Sequence, residues 1–413
     1  MALIDLTDWL NEFSGHQYAW FVKRLSGNDT LANKAHQAGP YLPKKFAFEM
    51  FPTIETIKEK NPRKALQAYI DSHPDSPEIR AIYYNSKLRE GRSNGRDEVR
   101  LTNFGGARSA VLDPDSTGAL TVFAFTLDAA GAAADCHVWV CRHETEEELV
   151  EDRVGPVEPG KGVVWAPWHP SLFPPVALPR ANCWLAPHEI PPAWLSGFPS
   201  GVEVIRMAVD MRPDAALTPD RRLVRRRECE YEIFRSVEEA VELPVITAGF
   251  GTLDDFIARA QTILQRRKSR SGHSLELHAR EIFLEERLRE GTDFSHGPES
   301  EPGKKPDFLF PSEAAYRNPA FPASGLRILA VKTTCRDRWR QILNEADRIG
   351  AKHLLTLQEG VSANQFREMT DAGVRLVVPE PLVTKYPASV QPHLQTLESF
   401  IGDMRLLARA AIP

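Results

Sequence analysis

Pro306-Asp307-Phe308-Leu309-Phe310 sets a carboxylate at the head of an apolar run, and Leu329-Ala330-Val331-Lys332 closes a later run on a lysine. A second carboxylate, Glu345, follows on a segment where Ile342, Leu343, Ala346 and Ile349 recur at helical spacing. Asp and Glu oxygens are the hard ligands magnesium prefers, with waters and a phosphate completing its shell. Such an ion polarises a phosphate and lowers the pKa of bound water. A lysine beside it neutralises the charge developing on the phosphate. The chemistry implied is metal-dependent cleavage of a phosphodiester, with Asp307 and Glu345 as metal ligands and Lys332 as the cation. Glu276, on a preceding helix, offers a further carboxylate. Singly, each residue has a plainer reading: a turn, a solvated strand edge, a surface helix position. Together, in this order, they favour a nuclease.

Asp307 and Lys332 lie 25 positions apart (332 − 307), so the runs that carry them must pair antiparallel for the two to meet. The segment 311–325 contains Pro311, Pro319, Pro322 and Gly325 and reads as the connecting loop. Strands are expected at 307–310, 326–331, 353–357 and 374–378, with helices at 337–349 and 362–371. That alternation implies an α/β sheet core. Upstream, Thr252 and Asp255 form a box-like helix start, followed by Leu253, Phe256, Ile257, Ala260, Ile263 and Leu264 at helical spacing. A second helix is expected over 274–289. Residues 1–150 read as mixed, with strands at 119–126 and 137–140, a short helix at 62–70, and a small barrel as the architecture. Eleven prolines between 156 and 199 predict a linker with no helix and little sheet.

A chain of 413 residues is too long for one ordinary core, so two domains are expected. Hydrophobic content of 42% and 26% charged residues exclude a disordered chain. No apolar run is long enough to span a membrane, and Met1–Leu6 lacks the basic start of a signal peptide. The five cysteines show no CxxC pair, which points to free thiols in a reducing cytoplasm and argues against zinc. The net charge of −5 is not that of a basic nucleic-acid binder. Arginines nevertheless cluster at 221–227, 266–270 and 336–340, where a local basic cleft or a solvated helix face are both open readings.

Arg336-Asp337-Arg338 follows the lysine directly. An arginine fork pairs with guanine, and a carboxylate accepts from cytosine. Asp337 also suits a helix N-cap. Arg227 and Tyr231 are four apart and share a helix face, a pairing able to sandwich an unstacked base or simply to sit on a surface.

With these residues assembled, the chain resembles the EcoRII family of restriction endonucleases over nearly its whole length. The runs that carry the resemblance include Lys23-Arg24-Leu25-Ser26, His36-Gln37, 80–86 and 274–278. Most specific are Lys304 to Pro311 and Ala330 to Glu345. The resemblance implies a homodimeric, Mg2+-dependent type IIE enzyme of the PD-(D/E)XK superfamily that cuts duplex CCWGG. It implies a restriction-endonuclease-like α/β domain with a central mixed sheet at 201–413. Before it would come a proline-rich linker at 161–200 and a β-rich, B3-like DNA-binding pseudobarrel at 1–160. Glu276, Asp307, Lys332 and Glu345 become the catalytic set, and Arg336, Asp337 and Arg338 the base readers. Arg227 and Tyr231 become the flipped-base pocket. His36, Tyr41, Arg96, Glu98 and Arg100, with Lys23 and Arg24, become the effector-DNA set. Two copies of the recognition site, autoinhibition relieved by the effector copy, a partner cytosine methyltransferase and a bacterial cytoplasmic location are implied with it.

The chain departs from the family at four places. The segment from Glu276 to Asp307 is longer, Arg336 stands where lysine is expected, and Val99 replaces a basic residue. Arg92 and Arg96 compete for one role. Two alternatives stay open: a non-cleaving DNA-binding regulator, and a strand-transfer enzyme using Tyr316 as nucleophile with Arg338 as phosphate clamp.

Overall fold

Leu120–Leu127 buries both faces of its strand, because Phe123 and Phe125 join one apolar cluster while Leu120, Val122 and Ala124 join another. Successive side chains alternate across a strand, so a sheet covered on both sides needs apolar residues at every position. The first cluster adds Phe21, Phe46 and Phe51, and the second adds Trp9, Trp20 and Trp139. The computed structural model describes residues 5–33, 38–91, 93–165 and 183–410, the last three by backbone alone.

The chain divides into two units. One comprises Met1–Val176 with Gln358–Glu368 and Thr384–Pro392; the other comprises Ala177–Leu357, Met369–Val383 and His393–Pro413. The first unit is β-rich, as expected, and built on one eight-stranded sheet. Its strands are β1 (Tyr18–Arg24), β2 (Tyr41–Leu42), β3 (Arg63–Ile70), β4 (Glu78–Tyr84), β5 (Glu98–Thr102), β6 (Leu120–Leu127), β7 (Ala133–Val140) and β8 (Gly162–Trp165). They run in the order β2-β5-β4-β3-β7-β6-β1-β8, antiparallel except between β3 and β7. The helix expected at 62–70 is strand β3. Leu66, Ala68 and Ile70 point inward at every second position, and that period outweighs the helical start offered by Pro62.

In the second unit β9 (Ser295–His296), β10 (Phe308–Phe310), β11 (Arg327–Lys332), β12 (Lys352–Thr356) and β13 (Val374–Val377) form a sheet ordered β13-β12-β11-β10-β9. β9, β10 and β11 pair antiparallel; β11, β12 and β13 pair parallel, giving the expected mixed sheet. One face carries Phe308, Phe310, Leu329 and Val331 against Leu275, Ala279, Ile282 and Phe283 of the helix Leu253–Glu285, and against Phe400 and Ile401 of the helix Leu397–Ala410. The other face buries Leu309, Ile328, Ala346 and Ile349.

The two helices expected upstream are one continuous helix, Leu253–Glu285, capped by Thr252, whose side chain accepts from Asp255 N–H. Gly272 inside it does not interrupt it. A second long helix, Pro219–Ala248, lies against it and carries much of the basic run 221–227. Those arginines are largely spent on carboxylates. Arg222 and Arg226 both reach Glu285 at 2.8 Å, Arg270 reaches Glu230 at 3.0 Å, and Arg267 reaches Glu238 at 2.7 Å. Buried carboxylates persist only when paired, so most of the 221–227 and 266–270 clusters join helices and do not form a free basic face. Asp220 is buried and accepts from three backbone N–H groups, those of Glu380, Leu397 and Glu398.

The proline-rich stretch holds short regular structure at its described ends: strand β8 and the helix Pro192–Ser196, which Pro191 and Pro192 open from positions a helix tolerates. Residues 166–182 of the expected linker lie outside the described residues. Cys183 is disulfide-bonded to Cys229, and Cys136, Cys141 and Cys335 are buried thiols outside the disulfide. This corrects the expectation of five free thiols. The pair is invisible in sequence spacing because it closes a separation of 46 residues within an apolar cluster of Ile190, Trp194, Ile233 and Val237. Denatured without reductant, the protein should show three titratable thiols rather than five. Reduction should lower its unfolding free energy by about 4 kcal/mol, the chain-entropy value for such a loop, read as a shift in urea midpoint.

Candidate active site

The register of β10 on β11 pairs Phe308 with Leu329 and Leu309 with Ile328. Asp307 therefore enters beside the end of β11, as antiparallel pairing requires. Its Oδ2 accepts the Val331 N–H at 2.6 Å. Lys332 ends β11 one residue later, half-buried, and its charge acts on Asp307. Asp307, just ahead of β10, and Lys332, closing β11, thus meet at one end face of the sheet.

Glu345 reaches that face by a route different from the expected one. The helix predicted over 337–349 is a short 3-10 turn, Arg338–Asn344, and Glu345 follows it in extended conformation. Ala346 then takes a left-handed φ of 49°. Three of the four apolar residues read as a helical stripe, Ile342, Ala346 and Ile349, are buried without a continuing helix, and Leu343 is half-buried.

The electrostatics are those of a cation site. Burial raises the Asp307 carboxyl above the ordinary range, and Glu276 adds to this, while Lys332 opposes it. Burial pushes the Glu345 carboxyl up to about 7, with the Asp307 charge adding to the shift and Lys332 and Lys352 opposing it. Burial raises both carboxyls, and the Asp307 charge adds to the rise at Glu345, an arrangement that a bound cation would relieve. Glu345 Oε2 is buried without a hydrogen-bond partner, which is the donor such an ion needs. Among the described residues no group of three or more His, Cys, Asp or Glu surrounds a metal position.

Glu276 approaches Asp307 from the helix Leu253–Glu285, and its Oε1 lies 2.6 Å from His296 Nε2. The His296 ring stacks on Phe308, centroids 5.1 Å apart. Sequence reasoning missed His296, since a lone histidine in an aperiodic polar run gives no signal. It also missed Lys352, which looks like any lysine ahead of an apolar strand.

Arg336, Asp337 and Arg338 occupy the turn after β11, close in sequence to Lys332. Asp337 does not cap the turn; its carboxylate lies 3.9 Å from Arg340. On the helix Pro219–Ala248, Arg227 is buried and lies 3.6 Å from Glu230. The cation over the Tyr231 ring is Arg270, at 4.8 Å. Arg227 and Tyr231 therefore do not form an open surface pair. Tyr316 is buried with its hydroxyl on Glu301, and burial followed by that hydrogen bond pushes its pKa up to about 12. A phenol so held is a poor nucleophile, which removes the strand-transfer reading.

In the first unit Tyr41 pairs with Arg100 across β2 and β5, Glu98 holds Arg100 at 2.9 Å, and Arg96 lies 5.5 Å over Tyr84. Lys23 pairs with Asp29 at 2.6 Å, and Asp29 Oδ1 accepts the Tyr41 N–H. Arg24 is a correction: it is 5% exposed and tied to Glu147, Glu151 and the Val157 carbonyl. Burial works against its charge, and the two glutamates outweigh it, so its pKa is raised. It is a structural ion there, unavailable to DNA. His36 and Arg92 lie outside the described residues.

Two carboxylates and a lysine, gathered at one end of a mixed sheet flanked by helices, define a phosphodiester-cleaving enzyme of the restriction-endonuclease-like class. Residues 14–168 match the family model for restriction endonuclease EcoRII, N-terminal, and residues 234–401 match that for EcoRII C terminal. The type II restriction enzyme EcoRII of Escherichia coli is 45% identical over 412 residues, 98% of each chain. The chain belongs to the EcoRII family of type II restriction endonucleases, which are site-specific deoxyribonucleases. Among solved structures it is similar to metal-depleted Ecl18kI in complex with uncleaved, modified DNA, with TM-score 0.44, 18% identity, 55% of this chain and 87% of that one. It is also similar to the UbaLAI restriction endonuclease B3 domain with cognate DNA, with TM-score 0.26, 19% identity, 39% of this chain and 96% of that one. No helix among the described residues is long and apolar enough to cross a membrane.

A glutamate whose carboxyl is raised from 4.5 to about 7 disfavours folding wherever it must ionise. That penalty is absent below the unfolded value, grows between the two values, and is complete above the folded one. Without divalent metal, Glu345→Gln should therefore raise the melting temperature at pH 8 and leave it nearly unchanged at pH 4.5. Magnesium should raise the wild-type melting temperature and not the variant's. Thermal melts in chelator and in magnesium would check both.

Proposed function

We propose that the enzyme cleaves both strands of duplex DNA at CCWGG, with magnesium as the metal. The observation that supports this most directly is the gathering of Asp307, Glu345 and Lys332 at one end of the sheet, with Glu345 Oε2 left without a hydrogen-bond partner. Bound magnesium would polarise the scissile phosphate and acidify its bound water. Asp307 and Glu345 would hold the ion. Lys332 orients the attacking water and balances charge on the phosphate. Glu276, braced by His296, adds negative charge beside Asp307. Arg336, Asp337 and Arg338 read the C·G pairs from the turn after β11, and Tyr231 receives the unstacked central base once Arg270 or Arg227 rearranges around it.

Each chain has one such centre among its described residues, so cutting both strands in one encounter calls for two chains. The tip of the two-helix hairpin suits that pairing. Leu243, Val245 and Ile246 at the end of one helix and Leu253, Phe256 and Ile257 at the start of the next are exposed, Leu253 by 72% and Phe256 by 48%. Exposed apolar clusters of this kind mark interaction surfaces. The first unit takes a second copy of the recognition site through Tyr41, Arg96, Glu98 and Arg100, with Lys23 beside them. Relief of autoinhibition by that effector copy, protection of host DNA by a cytosine methyltransferase and a cytoplasmic site of action complete the reading through family membership.

Incubated with magnesium and unmethylated plasmid, the wild type should give discrete fragments ending at CCWGG. Asp307→Ala and Lys332→Ala should cut at least about 100-fold more slowly, as expected for loss of transition-state stabilisation, and Tyr316→Phe should cut at the wild-type rate. Specific binding without cleavage, even with extra site-bearing duplex as effector, would turn the reading to a DNA-binding regulator. Leu253→Glu with Phe256→Glu should shift sedimentation from dimer to monomer. An unchanged sedimentation coefficient would place the interface elsewhere.

A further inference from the structure

The second acid of this site is not held by the sheet. On β11 the residue sharing a face with Lys332, two positions earlier, is Ala330. The carboxylate comes instead from Glu345, in extended conformation after a 3-10 turn and before a left-handed alanine. Its own N–H bonds back to Ile342 at 3.1 Å, and no strand pairing reaches it. Such a segment has little intrinsic reason to hold a carboxylate still.

Lys352 provides one. It opens β12, its backbone N–H bonds to the Gly373 carbonyl at 2.9 Å, and its side chain is buried. Nζ donates to the carbonyl of Glu345 and, at 2.8 Å, to that of Ala346. Two successive carbonyls at the point where the chain reverses are thus fixed to the sheet by one ammonium. The charged groups facing it are Asp347, Glu301, Glu345 and Lys304. The turn is tied down further by Asp347 N–H to Glu301 and Arg348 N–H to the Tyr316 hydroxyl, but neither bond touches Glu345.

We propose that Lys352 is the positioning residue for the metal-binding carboxylate of Glu345, an ammonium clamp that fixes this irregular turn where no strand pairing does. The proposal rests on the metal-dependent nuclease reading. Lys352 touches no substrate. It acts through Glu345, so its removal should weaken metal binding while leaving DNA binding alone. Residues supporting a metal ligand in this way are typically worth about 10–100-fold in metal affinity.

The test uses the full-length protein. Mn2+ binding is followed by electron paramagnetic resonance, the magnesium dependence of single-turnover cleavage by gel, and DNA affinity in chelator by fluorescence anisotropy. Lys352→Met should raise both metal midpoints by at least about tenfold with DNA affinity unchanged. Lys352→Arg, which keeps charge and donors, should recover most of the loss. Metal midpoints for Lys352→Met equal to the wild type's would overturn the proposal. Should Lys352→Met not fold, Lys352→Arg and Lys352→Gln decide: a weaker midpoint for Gln than for Arg supports the clamp, and equal midpoints sink it. The wild type's own metal binding and cleavage test the underlying reading separately, since a wild type that cuts without metal removes that reading whatever the variants do.

Discussion

Antiparallel pairing of β10 with β11 is the constraint on which the catalytic end of this molecule depends. Three residues of β10 are enough to bring Asp307 beside Lys332, because the strand is clamped by buried aromatic packing as well as by its ladder. Phe308 and Phe310 both meet Phe283 of the helix behind the sheet, with centroids 5.2 and 5.6 Å away. A slip of one residue would send these rings to the opposite face and take Asp307 with them. The register that positions the chemistry is therefore the register that fills the core. Asp307 contributes to its own placement through the Val331 N–H, so this carboxylate is tied into the strand pairing beside which it sits.

The helices behind that sheet are joined less by apolar contact than by charge. Glu230, Glu238 and Glu242 on one helix are buried, and arginines of the other reach them in a ladder. Breaking one partner of such a pair leaves an uncompensated buried ion, which costs far more than a surface bridge is worth. This explains how a protein with net charge −5 carries dense arginine runs without presenting a strongly basic surface on these helices. It also explains why Arg227 is not open to solvent: Glu230 holds it. Asp220 acts in the same spirit at the other end, where one carboxylate serves three backbone N–H groups at the starts of two C-terminal segments. The outcome is a rigid frame behind a site whose second acid sits on an irregular turn.

The amino-acid order by itself determined the four strands from residue 307 onward, the helix at 363–371, the β-rich first unit and the meeting of Asp307 with Lys332. Those features are written in local periodicity and in turn residues, both of which survive in a linear chain. Pro62–Ile70 was misread because a proline start and a short apolar run fit helix and strand alike, and only pairing with β4 and β7 decides. Burial of Arg24, the partnership of Cys183 with Cys229, the single long helix 253–285, the His296–Glu276 contact and the Lys352 clamp were decided by tertiary structure alone. Each depends on which distant groups share a low-dielectric interior. Local sequence reports the propensity of a segment and the chemistry of a side chain, but whether a charge is free or already neutralised is set by neighbours that only the folded chain brings within reach.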